Sequence, residues 1–65
     1  MDIKQRYSVS LVYLKIESGQ AIIDLQVLIT SADSSEEALG KAYCHFEDEM
    51  KDYKISNKVV IKITD

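Results

Sequence analysis

The first clear pattern along the chain is an alternation. Tyr7, Val9, Leu11 and Tyr13 fall on one face, Ser8 and Ser10 on the other. A period of two marks a β-strand. From Val12 onward the second face turns apolar as well, through Leu14 and Ile16. A strand apolar on both faces is expected in the middle of a sheet. Residues 21–30 alternate again, with Ala21, Ile23, Leu25, Val27 and Ile29 as an unbroken apolar stripe. Ile22, Asp24, Gln26, Leu28 and Thr30 lie opposite. Over residues 34–53 the period lengthens, and Leu39, Ala42, Tyr43, Phe46, Met50 and Tyr53 share one helical stripe. Residues 55–58 read as a turn. Residues 59–64 read as a third strand, with Val59, Ile61 and Ile63 on one face and Val60, Lys62 and Thr64 on the other.

The hairpin turn fixes which faces meet. A two-residue Ser18-Gly19 loop pairs Ile16 with Ala21 and sets Tyr7, Val9 and Leu11 on the face of Asp24 and Gln26. A three-residue loop, residues 17–19 with Gly19 in a left-handed bulge, pairs Ile16 with Gln20. It then brings Tyr13, Leu11, Val9 and Tyr7 opposite Ile23, Leu25, Val27 and Ile29. A one-residue slip reverses every side chain, and the apolar matching favours the three-residue loop.

Ser34 and Glu37 form an S-x-x-E capping box at the start of the helix, where Glu36 and Glu37 also suit the helix dipole. Glu37 with Lys41, and Glu47 with Lys51, are i,i+4 pairs in the favourable order. The fold expected is one α+β domain over residues 1–65, in the order ββαβ. It has a three-stranded antiparallel sheet with strands ordered 2-1-3 and one helix covering the odd-numbered face. A right-handed crossover returns the chain.

In that arrangement the second sheet face carries Val12, Leu14, Ile16, Ile22, Leu28 and Val60. Strand two is a long edge without lysine or proline, whereas strand three carries Lys58 and Lys62 as edge guards. These six apolar side chains and that edge predict a homodimer. A pair of small residues one turn apart on the helix, Gly40 and Cys44, would also let another backbone come close.

Composition narrows the function. A chain of 65 residues has a marginal core and gains from oligomerisation. A single cysteine, Cys44, excludes an internal disulfide and fits a reducing, cytoplasmic setting. Cys44 and the one histidine, His45, are neighbours diverging by about 100° on a helix, so they neither share a metal nor activate one another. No glycine-rich phosphate loop is present, and no cofactor is expected. The net charge of −3 and pI near 5.0 argue against direct binding of nucleic acid or an anionic membrane. No apolar run reaches the roughly 20 residues of a membrane span, and the N-terminal pattern is not that of a signal peptide. Catalysis is therefore not expected. The remaining candidate is an acidic docking face for a basic protein partner, built from Glu37, Glu47, Asp48, Glu49 and Asp52, with Glu36 beside them.

The stretch Ala32-Asp33-Ser34-Ser35-Glu36-Glu37-Ala38-Leu39 resembles the strand-to-helix junction of HicB-family antitoxins, which show a similar Ser/Thr-x-Glu-Glu-Ala-Leu. It lacks their preceding Gly-Cys-x-x-x-Gly region and a DNA-binding extension, and a capping box accounts for most of the match. The likeness implies at most an antitoxin-like partner. The short, acidic, chemically bare profile is also similar in type to phage-encoded inhibitors, anti-CRISPR and anti-restriction proteins among them. The leading expectation is a non-catalytic accessory or inhibitory protein that docks on a larger assembly, nucleic-acid-handling proteins among the candidates. The alternative is a structural or regulatory subunit acting through oligomerisation.

Overall fold

The computed structural model describes residues 4–64. Its elements are β1 (Gln5–Glu17), β2 (Gln20–Ala32), α1 (Ser35–Phe46) and β3 (Lys54–Ile63). The strands form one antiparallel sheet in the order β2-β1-β3, with the helix on one face. The α+β class, the ββαβ order and the central position of β1 are as the pattern predicts.

The hairpin register is not. Ile16 pairs with Ala21 and Glu17 with Gln20, so the loop is the two residues Ser18 and Gly19. Both have positive φ, 54° at Ser18 and 78° at Gly19. Two successive left-handed residues give a type I′ turn, whose twist matches that of the strands it joins. The turn geometry overrides the apolar matching. Tyr7, Val9, Leu11 and Tyr13 therefore share a face with Thr30, Leu28, Gln26 and Asp24. The stripe Ala21, Ile23, Leu25, Val27 and Ile29, expected under the helix, lies on the opposite face.

The core sits between β1 and the helix. Val9 and Leu11 are fully buried, with Tyr7, Tyr13, Phe46 and Met50 around them. Ala32, Ala38 and Ala42 are also fully buried, and as small side chains they let the helix lie close to the sheet. Leu28, Leu39, Tyr43, Tyr53 and Val60 pack at the margin. Leu28 and Val60, expected at a dimer interface, are thus part of this core layer, and Ile22 falls on the same side by register. Burial pushes the Tyr13 hydroxyl pKa above 10.0, with a smaller contribution from Tyr43.

The helix start follows its sequence signal. Ser34 is extended (φ −153°, ψ 164°), and its hydroxyl accepts from the Glu37 amide at 3.1 Å. The Glu37 carboxylate turns to Lys41 at 3.6 Å and Lys4 at 4.0 Å. Lys41 also donates to the Ser31 carbonyl at 2.7 Å, tying the helix to the end of β2. The helix is shorter than expected and ends at Phe46, where the chain passes into turns. Glu47 and Lys51 therefore lie beyond it. Met50 donates its amide to the Phe46 carbonyl, and Tyr53 to that of Met50, which folds both side chains back onto the core.

β3 begins earlier than expected, at Lys54. The ladder skips Ser56, pairing Tyr13 with Ile55 and Val12 with Asn57. The extra residue is a β-bulge, and it explains why this segment lacks clean alternation in the sequence.

Candidate functional site

A 12-residue helix is about 18 Å long, whereas a 13-residue strand spans about 43 Å. The helix and its following turns cover one face of the sheet as far as Tyr13. Tyr53 closes that end, packing edge-on to Tyr13 at 6.4 Å, with the Lys15 ammonium 5.5 Å from its ring centre. Lys15 also pairs with Glu17 at 3.3 Å, and the hydrogen bond to that carboxylate is the main cause raising its pKa. Beyond Leu14 the hairpin runs on without β3 beside it. A shallow groove there is lined by Leu14, Lys15, Ile16, Asp52 and Lys54.

Among the described residues, no element covers the other face of the sheet. By register it presents Ile23, Leu25, Val27 and Ile29 from β2, and Ser8, Ser10, Val12, Leu14 and Ile16 from β1. β3 adds Asn57, Val59 and Ile61. Exposure on β2 runs from 51% at Val27 to 68% at Ile23, and Ile61 is 57% exposed. A contiguous apolar surface of this kind is uncommon on a protein that stays alone in water. Its ladder positions include no carboxylate among the described residues; Arg6 and Lys54 lie at its ends.

Of the six side chains expected at a dimer interface, the structure gathers Val12, Leu14 and Ile16 on this open face and separates Ile22, Leu28 and Val60 from them. The larger part of the face comes from residues the pattern assigned to the core. The Ser18-Gly19 pair, read as a two-residue turn, was the signal that would have found them.

β2 is a sheet edge, as expected. Glu17 and Gln20 flank the two-residue turn and exchange ladder hydrogen bonds, so the odd-numbered residues of β2 direct their backbone groups outward. The candidate acidic residues lie in the helix and the turns that follow it, Asp52 among them at the groove beside Leu14 and Ile16. Glu37 is engaged by Lys41, while Glu47, Asp48, Glu49 and Asp52 are exposed in the turns after the helix. Cys44 is exposed, and the His45 ring stands edge-on to Phe46 at 4.7 Å. A Cβ at Gly40 would meet nothing within 4 Å.

Among the described residues, no group of three His, Cys, Asp or Glu side chains is placed to hold a metal ion. No helix among them is long and apolar enough to cross a membrane. Comparison with known proteins gives no match to a family model, a curated protein or a solved structure.

Proposed function

We propose that the chain is a non-catalytic protein-binding module, an accessory or inhibitory component that works by docking on other protein. The observation that carries this reading is the open sheet face. Burying it releases the ordered water around at least six large apolar side chains, at roughly 25 cal/mol per Å². Its partner is therefore expected to be another protein surface of apolar character.

The exposed carboxylates at Glu47, Asp48 and Glu49 lie in the turns after the helix, with Asp52 at the groove beside Leu14 and Ile16, and they suit a basic surface. Such a contact would be sensitive to salt, because exposed charges are screened within about 8 Å at physiological ionic strength.

The test is co-purification of stoichiometric protein with the wild type and with two variants. Leu25→Lys alters the sheet face, and the combined D48N/E49Q/D52N substitution alters the acidic side. The reading expects Leu25→Lys to lose bound protein, whether foreign or a second copy, while keeping a native circular dichroism spectrum. It is wrong if Leu25→Lys keeps every association of the wild type.

A further inference from the structure

We infer that the open face is covered by a second copy of this chain, packed sheet against sheet about a two-fold axis that runs across the strands. This rests on the protein-binding reading and names the partner. The first support is area. Three strands over the paired length, with the hairpin extension, present a plane of roughly 500 Å² before the corrugation of side chains is counted. Two such faces together clear the roughly 1,000 Å² that a specific interface needs. The second support is charge. Each copy carries a net charge of −3, yet the ladder positions of this face include no carboxylate among the described residues. Two copies can meet there without like charges being buried.

The third support is shape, and it sets the axis. In one half of the face the middle strand bears only Ser8 and Ser10, between taller β-branched side chains on β2 and β3, which makes a groove. In the other half the middle strand bears Val12 and Leu14, which fill the space beside Leu25 and Ile23 where the serines leave it open. A two-fold axis across the strands at the level of Leu11 sets Val12 and Leu14 of one copy over Ser10 and Ser8 of the other. An axis along the strands would set the serine groove of one copy over that of the other and leave both unfilled. Isologous contacts of this kind close on themselves. Pairing through the β2 edge alone would leave the whole face in water.

The same axis places Leu25 of one copy over Val27 of the second. That relation supplies the test, read by sedimentation equilibrium of the full chain. The wild type is expected at twice the 7.4 kDa of one copy. Leu25→Lys and Val27→Glu are each expected to weaken association by at least about 100-fold, since each buries an unpaired charge. Mixed together, the two variants are expected to form a heterodimer, because the introduced ammonium and carboxylate then oppose each other. A monomeric wild type at high micromolar concentration overturns the inference. So does a dimer that both variants leave intact, which would place the contact at the β2 edge or the helix. If the wild type is a monomer but Leu25→Lys loses a bound foreign protein, the second copy is refuted while the protein-binding reading stands. If neither association is affected, both fail.

Discussion

Both faces of this sheet are rich in apolar side chains, and they have opposite fates. Under the helix, Val9 and Leu11 are fully buried, yet their neighbours on β2 include Asp24, Gln26 and Thr30, held half-buried. On the open side, Ile23, Leu25, Val27 and Ile29 form the cleanest stripe in the chain and face outward. Apolar content does not decide which face becomes the core of one copy. Turn geometry and the reach of the helix decide it, and the uncovered stripe remains available for association.

The largest difference between the faces should appear on truncation. Leu11→Ala removes a fully buried side chain and is expected to cost about 2–5 kcal/mol, measured as a lower denaturant midpoint. Leu25→Ala, at a dilution where the chain is monomeric, is expected to change stability by less than about 0.5 kcal/mol. Equal losses at the two positions would mean that both lie in the core, and the contrast between the faces would collapse.

Helix capping comes next in size. Ser34→Ala removes the acceptor of the Glu37 amide and should cost about 1 kcal/mol in the covered face while leaving association through the open face intact. A thermal melt combined with sedimentation separates the two effects. Gly40→Ala should act in the opposite direction, stabilising by about 0.4–1 kcal/mol, because the position is helical, exposed and free of neighbours within 4 Å. A loss of association on this change would reveal a close contact at the helix surface instead.

The smallest effect sharpens the register itself. Ser18 adopts φ 54°, a conformation that asparagine tolerates better than serine. Ser18→Asn should therefore stabilise by about 0.5 kcal/mol, since Asn-Gly suits a type I′ turn. A three-residue loop gives Ser18 no such preference, and chemical denaturation of the variant distinguishes the two.

Much of the fold is legible in the sequence. The alternation in β1, the capping box at Ser34 and the stripe ending in Phe46, Met50 and Tyr53 give the element order, and the two-sided apolar character of β1 gives its central place. The register is not legible from the pattern because the chain offers two apolar faces, and matching stripe to stripe assigns both to one core. The length of the helix is not legible because Met50 and Tyr53 reach the core from turns as readily as from a continued helix. Only the β1 part of the candidate interface, Val12, Leu14 and Ile16, is legible from the pattern. The β2 part depends on the turn, and the three-residue register sets Ile22 and Leu28 on the wrong side. Val60 falls on the wrong face because Val59, Ile61 and Ile63 form the more apolar stripe, whereas the register pairs Val60 with the buried Val9.

The assignment of faces rests on one relation between β1 and β2, and nuclear Overhauser contacts between backbone Hα protons read it directly. In the type I′ register, Val12 and Leu25, and Leu14 and Ile23, are facing pairs outside the ladder hydrogen bonds, the class in which Cα atoms approach to about 4.5 Å. Strong Hα–Hα contacts are predicted for these two pairs. Contacts joining Leu11 to Leu25 and Tyr13 to Ile23 would instead return the β2 stripe to the core and remove the open face.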